Sequence, residues 1–495
     1  MSRIHFSQLL AWELQRVRRS PLLWSILAGL AVTFLWATLT TASMHREQTA
    51  AQAAALESER AWMKDIRRRV DEYDVRADTP LPYWQDPTDA GGFSQYFLRK
   101  HSLKPHLPLS PLAAGASDLL PGRLQVKLAT PFGIDDTYDF ENPRALALGQ
   151  FDLAFAIVYL LPIALILLLG LLITFERDHG VMRLVAAQPI TPRLWLNARV
   201  TAILLIVQPF VCVAVVIALV VAGVDVTQAP VELMTALLLT SAYGVLWVAI
   251  ICLVLSGWPR ASGAIASSAV IWALLLIGVP LAANTFLSWW HPATPAAEYV
   301  NDLRNINDAV QGQGDDIVAA AFRSTPALAG HLDAVKDIDH ATRLTFLIPE
   351  IERRSAALRA ALLDAHFTQE RASTLVGFIS PPLSVETAFT RLAGTDLARH
   401  RDFEAQTREY QLELRRILYR VMHAEIATPT PRPFPDSYGR FNFTDYDVIP
   451  EFRMRDAAPS ARARGTLSTI LWLCFVAAIL TAMAARRLRR WPAEL

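Results

Sequence analysis

The sequence predicts a mainly α membrane protein, with six transmembrane helices and a largely helical extracytoplasmic domain built from two insertions. Three observations predict it. Six stretches each run without a charged residue for about 18–25 positions, and a hydrocarbon core of ~30 Å takes ~20 apolar helical residues to cross. Arginines gather in alternate short connections, as the positive-inside bias requires. The remaining polar residues fall into two long segments.

Composition narrows the class further. Of 495 residues, 53% are hydrophobic and 19% charged, which excludes a disordered chain. A formal net charge of +1 gives no electrostatic case for nucleic acid. Cys212, Cys252 and Cys474 all sit in apolar runs, so neither a disulfide framework nor a cysteine zinc site is expected.

Residues 1–20 read as a cytoplasmic amphipathic helix. Phe6, Leu9, Leu10, Leu14 and Val17 form an apolar stripe, with Arg16, Arg18 and Arg19 turned elsewhere, the pattern of a helix lying on a membrane surface. The first span, 21–43, begins at Pro21. It exceeds the ~7–15 residue apolar core of a signal peptide and reads as a retained anchor. The first insertion, 44–150, opens with Ala, Glu, Gln and Arg in quantity, all strong helix formers. Trp62, Ile66, Val70 and Tyr73 share one helical face, so a single long helix should continue out of the span. Over 79–133 the prolines at 80, 82, 87, 105, 108, 111, 121 and 131 forbid a long helix. Tyr83, Trp84, Phe93, Tyr96 and Phe97 give this irregular region something to pack.

The second span covers 151–174, followed by a cytoplasmic loop, 175–199, rich in arginine. Spans at 200–222 and 232–255 are joined by a connection without Lys or Arg. A fifth span, 261–284, precedes Trp289 and Trp290, suited to an interfacial aromatic belt. In the second insertion, 285–466, a helix is predicted over 395–426 after Gly394, with Phe403, Tyr410, Leu414, Ile417 and Val421 inward. TPTPRPFP (428–435) reads as extended or polyproline-like. The last span, 467–485, leads to a tail, 486–495, carrying Arg486, Arg487, Arg489 and Arg490. Both termini are thereby placed in the cytoplasm and both insertions outside. Arg462 and Arg464 run against that bias and are outvoted by the tail.

Catalytic signatures are absent. The sequence holds no GxxxxGK[ST] phosphate loop, HExxH, CxxC or GxSxG. His400 with Asp402 and His423 with Glu425 are close pairs on a predicted helix, where a solvated face is the plain reading and metal ligation the sharper one. The span interiors lack Asp, Glu, Lys, Arg and His. Ion-coupled transport normally relies on such groups, so energy should come from another source. Asp152 and Glu232 lie at span ends and read as interface residues. The loop FERDHGVMRLVAAQPITPRLW (175–195) combines charge with apolar knobs around Gly180, Pro189 and Pro192, as a handle for a soluble motor requires; an ordinary loop is the plain reading.

Three segments and the order of the spans carry a family resemblance. LSPLAAGASDLLPGRLQVKL (109–128), ENPRALALGQFDLAFAIVYLLPIALILLLGLLITFERDHGVMRLVAAQPIT (141–191) and ISPPLSVETAFTRLAGTDLARHRDF (379–403), with large loops after spans one and five, resemble the ABC-2 type transporter permease family. The resemblance is to its subgroup with a large extracytoplasmic domain of unknown function. Residues 295–375 carry none of it.

The resemblance implies the membrane half of a bacterial ABC exporter in the inner membrane, its ectodomain periplasmic. Two permease chains, identical or homologous, would pair above two separate cytoplasmic ABC ATPase subunits. ATP and Mg would belong to those subunits, with no cofactor or catalytic residue in this chain. Glu176, Arg177, Gly180, Arg183 and Pro189 fall in the coupling region, and residues 4–19 in the connecting helix. Asp152, Phe155, Tyr159 and Pro162 match the motif of span two. Asp396, His400 and Phe403 match an extracytoplasmic motif and receive a structural reading first. Two rivals stay open: a mechanotransmitter with the same partners that moves its ectodomain without moving cargo, and an ectoenzyme anchored by the spans.

Overall fold

The computed structural model describes residues 5–72, 81–131, 151–178, 187–188, 190–257, 261–290, 296–427 and 443–487. Helix α1 (Phe6–Arg18) is followed after a two-residue break by α2 (Pro21–Glu72), one helix of 52 residues. At ~1.5 Å per residue it is about 78 Å long, more than twice a hydrocarbon core. The expected long helix therefore exists. Its apolar first half packs among other apolar helices, and its polar second half continues into a separate domain.

Helix α3 comprises Leu153–Phe155, a π-helical turn at Ala156–Leu160, and Leu161–Asp178. Helices α4 (Pro192–Val221) and α5 (Pro230–Leu255) follow. Helix α6 comprises Ala261–Ala273, a second π-helical turn at Leu274–Gly278, and Val279–Trp290. After the polar domain the chain returns in α13 (Pro459–Arg487). Among the described residues, six helices (α2, α3, α4, α5, α6 and α13) are long and apolar enough to cross a membrane, as a membrane-embedded protein requires.

The polar domain is mostly helical. It contains α7 (Ala296–Gly312), α8 (Gly314–Ser324), α9 (His340–Arg354), α10 (Ala356–Ile379), α11 (Pro381–Ala393) and α12 (Leu397–Ala427). The proline-rich region supplies turns and a two-stranded antiparallel hairpin, β1 (Lys100–Leu103) with β2 (Arg123–Val126), in register Lys100 to Val126. That hairpin was not expected. Its strands are four residues long and carry no clear alternation.

Three apolar clusters hold the fold. The largest joins the long apolar helices. It also takes in Leu109 and Leu112 from the proline-rich region and Val385, Phe389 and Leu392 from α11. The second lies between the outer half of α2 and α12, around Ile66, Phe93, Leu414 and Tyr446. The third packs α8 and α9 around Phe322, Leu347 and Ile351. Phe403, Tyr410 and Leu414 of α12 face inward as expected. Beyond them Leu418 and Met422 are buried, while Ile417 and Val421 are half-buried. The inward line rotates because α12 contributes to the second cluster and, through Ile426, to the third. Tyr73 and residues 428–435 lie outside the described residues.

Candidate functional site

The span-two motif forms a set of linked contacts. Asp152 caps the start of α3: its Oδ1 accepts from the Phe155 amide at 2.6 Å, satisfying a donor that a helix start leaves unpaired. Its Oδ2 accepts from the Ala114 amide at 2.8 Å, so one carboxylate ties α3 to the proline-rich region. Phe155 and Tyr159, one turn apart, stack with ring centroids 4.2 Å apart. Pro162 has no N–H to offer the carbonyl four residues back. That carbonyl, Val158, instead accepts from the Tyr243 hydroxyl of α5 at 2.8 Å. The Tyr159 carbonyl accepts from the Trp272 indole of α6 at 3.1 Å. The π turn thus opens carbonyls that neighbouring helices occupy.

The second π turn also precedes a proline, Pro280, and also offers a carbonyl to a neighbour: Leu275 within it accepts from the Ser380 hydroxyl at 2.7 Å. Ser380, fully buried, sits in the corner between α10 and α11. Leu275 is 15 residues before the end of α6 at Trp290, about 22 Å along the helix axis. The α10–α11 corner therefore reaches deep beside an apolar helix. In the sequence this segment was simply part of insertion two.

The third segment of the resemblance closes the junction. Helix α11 ends at Gly394 in the left-handed conformation, φ +70°, which glycine adopts without strain. Next to it, the Thr395 hydroxyl donates to the Ala113 carbonyl at 2.9 Å. The Ala116 amide donates to the Thr395 carbonyl at 2.8 Å. Gly115 lies between these bonds at φ +51°, and a Cβ there would fall 2.7 Å from the Thr395 carbonyl oxygen. Loop 109–118, the start of α3 and the Gly394 corner thus meet at one place. The first two segments lie close in sequence and the third more than 180 residues beyond them, yet all three are sides of one joint.

Asp396, His400 and Phe403 extend that joint into the polar domain. His400 is buried. Its Nδ1 lies 3.2 Å from Lys104 Nζ and its Nε2 lies 3.2 Å from Glu404 Oε1. Burial, then the Arg399 guanidinium, push the Lys104 ammonium down to about 8, opposed by Asp396, Glu404 and Asp456. Burial raises the Asp396 carboxyl, although its own and the Arg399 backbone amides and the Arg391 and Arg399 charges pull it down. Phe403 packs edge-on against Phe452, centroids 6.0 Å apart. His423 stacks on Phe346 at 4.5 Å and bonds Thr345 Oγ1 at 2.8 Å. Both histidines thus have partners other than Asp402 and Glu425. Among the described residues no cluster of three or more metal-ligating side chains assembles.

At the other end of α3, only some of the residues expected in a coupling region fall among the described residues. Glu176 and Arg177 lie in its last two turns. Gly180, Arg183 and Pro189 lie outside the described residues. The neighbouring helices carry a contact that the sequence did not announce. Arg199 of α4 is 3% exposed and meets Glu13 of α1 through two bonds, Nε–Oε2 at 3.0 Å and Nη2–Oε1 at 2.8 Å. The guanidinium also stands over the Trp195 ring at 4.6 Å and donates to the Leu172 carbonyl of α3. The inward face of α1 is therefore Leu9, Glu13 and Val17, while Phe6, expected in the apolar stripe, is exposed. Glu13 falls at helical spacing between two buried apolar residues, which was the available signal. A second buried pair joins Arg462 of α13 to Glu232 of α5 at 2.8 Å. It gives an acidic partner to Arg462, which ran against the charge bias expected from the sequence.

Residues 296–455 match the family model described as a domain of unknown function, DUF3526. The match covers residues 296–375 of the stretch that carried no resemblance. No curated protein and no solved structure matches the chain.

Proposed function

We propose that this chain is the permease subunit of a bacterial ABC exporter. Two separate ATPase subunits supply ATP hydrolysis, and a second permease chain completes the pathway. The observation that carries the reading is the joint itself. The three segments resembling ABC-2 permeases converge on Asp152, Ala114 and Thr395, and unrelated likenesses would have no reason to meet. Six helices cross the inner membrane in this reading, both termini are cytoplasmic, and the polar domain is periplasmic. The α10–α11 corner re-enters the membrane to the depth of Leu275. Glu176, Arg177, Gly180, Arg183 and Pro189 receive the push of the ATPases, with α1 locked alongside through Glu13 and Arg199.

The mechanotransmitter reading keeps the same partners. It is favoured by the unbroken helix α2, since a rigid rod from the apolar bundle into the polar domain transmits tilt without requiring cargo. Co-purification with candidate ATPases tests both readings. The chain should form a complex and stimulate ATP hydrolysis, and Glu176→Ala with Arg183→Ala should abolish the stimulation. Intact stimulation and intact assembly in that double variant would remove the coupling assignment. Uptake of a candidate cargo by sealed inverted vesicles then separates export from mechanotransmission.

A further inference from the structure

Outside the joint, a cavity of about 560 Å³ lies between the outer half of α2 and the body of the polar domain, within the size range of small-molecule sites. One wall is the α2 face that carries Arg60, Met63, Lys64 and Arg67. The opposite wall presents Tyr410, Tyr446 and Phe452. The wall hydroxyls are already engaged: Tyr410 donates to the Pro450 carbonyl at 2.7 Å and Tyr446 to the Pro87 carbonyl at 2.8 Å. To an occupant these side chains therefore offer ring surface.

The charges sort in the same way. Glu59 is engaged by Lys100 and His101, and Arg67 by Asp447. Burial raises the Glu59 carboxyl, but the bonds from His101 and Lys100 outweigh it, so Glu59 stays below the usual carboxylate range. Arg60, Lys64 and Glu451 are left, and among the described residues none of them forms an ion pair. Arg60 and Lys64 are one helical turn apart, with Cβ atoms ~5–6 Å from each other, a spacing that straddles one anionic group. The guanidinium supplies a planar fork and the ammonium a mobile point charge.

We propose that this cleft binds a small anionic amphiphile, its aromatic or aliphatic body against Tyr410, Tyr446 and Phe452 and its carboxylate, sulfonate or phosphate held by Arg60 and Lys64. The site goes beyond the permease reading and requires none of it. An occupant would contact both a helix continuous with the apolar bundle and the polar domain, so its binding would favour their present alignment.

The test uses the full chain in phosphatidylcholine nanodiscs with three probes of one shape: naphthalene-2-sulfonate, naphthalene-2-methanol and 2-naphthylmethyl-trimethylammonium. Calorimetric titration against empty nanodiscs should show saturable binding of the sulfonate, at least ~10-fold tighter than of the alcohol. R60A/K64A should weaken the sulfonate at least ~10-fold. Arg68→Ala, with its side chain 65% exposed and absent from the cavity lining, should change nothing. Both cations of the double variant are exposed on a helix, so it should fold, and an unshifted thermal midpoint confirms that. R60E/K64E should reverse the preference toward the ammonium probe. Equal binding of the three probes, sulfonate binding unchanged in R60A/K64A, or no saturable binding above empty nanodiscs would each overturn the assignment. A wild-type preference for the ammonium probe that Glu451→Gln removes would overturn its polarity.

Discussion

At one end of α3, Glu13 and Arg199 meet as a nearly fully buried acid and guanidinium, with a ring beneath and a carbonyl beside them. At the other end, Asp152 accepts from backbone amides, and the Thr395 and Tyr243 hydroxyls donate to backbone carbonyls. The first fastening is specific to its partner, because removing one member of a buried ion pair leaves the other charge uncompensated at high cost. The second is specific to geometry, because any amide or carbonyl in the right place satisfies it. A charge pair joins whole helices side by side. Backbone-directed bonds fix one loop against one helix start, which is what a joint between an apolar bundle and a polar domain needs.

The largest effect should come from breaking the charged end. Glu13→Gln leaves Arg199 buried without compensation and should cost ~3–5 kcal/mol, read as a large drop in thermal midpoint in nanodiscs. Removing both charges with Glu13→Leu and Arg199→Met should restore most of the loss, because similar-volume apolar replacements of buried pairs are often neutral. Equal loss in the single and double variants would mean that the pair does not fasten α1 to α4.

Acid should loosen the polar side. Burial, then the charges of Lys104 and Arg399, push the His106 imidazole down to about 4, and burial alone pushes His423 to about 4. Between pH 6.5 and about 4 the unfolded chain takes up protons that the folded chain refuses. The contribution of these two rings to stability should therefore fall as the pH falls across that window and level off below it, with the raised Asp396 carboxyl opposing the slope. A tenfold weaker proton affinity in the folded chain is worth ~1.4 kcal/mol, less where solvent screens the ring. Midpoints recorded from pH 7.5 to 4.5 should show the slope, and His423→Phe should flatten part of it. A slope unchanged by His423→Phe would show that this ring is not neutral by burial.

The geometric end breaks in smaller steps. Tyr243→Phe strands the Val158 carbonyl and should cost ~1–3 kcal/mol. The informative variant is the second one. Pro162→Ala returns an N–H to the helix, so its cost or gain should become more favourable by ~1 kcal/mol or more in the Tyr243→Phe background than in wild type. Strict additivity would dissociate the proline from the tyrosine. Gly115→Ala places a side chain at positive φ against the Thr395 carbonyl and should cost ~1–3 kcal/mol, with Gly115→Val worse.

The same contrast explains what the sequence made legible. The long apolar helices and α2 were readable because uncharged runs and strong helix formers are local properties. The motif residues Asp152 and Pro162 were visible as letters. Their partners Ala114 and Tyr243 were not, because a backbone-directed bond imposes no pattern on the residue supplying the amide or hydroxyl. Ser380 reaches a carbonyl 105 residues away and looks like any helix-flanking serine. Charged partners leave more trace. Arg462 was conspicuous as an arginine on the unexpected side, and Glu13 as an acid on an apolar face, although neither pattern names its partner. Gly180, Arg183 and Pro189, expected in a coupling region, fall outside the described residues, so that expectation rests on the resemblance.

The smallest effect should come from a pair that resembles the Glu13–Arg199 fastening in composition alone. Arg67 and Asp447 join α2 to the polar domain at 2.5 Å, with side chains 52% and 83% exposed. Water screens both charges, and holding two mobile side chains together costs entropy, so such pairs contribute ~0–1 kcal/mol. Asp447→Asn should shift the thermal midpoint barely, and raising the salt from about 0.05 to about 0.5 M should erase the difference. The same salt change should leave the effect of Glu13→Gln nearly intact. If the Asp447→Asn loss matched the Glu13→Gln loss, burial would not be what distinguishes the two fastenings, and the ranking of the predictions would fail with it.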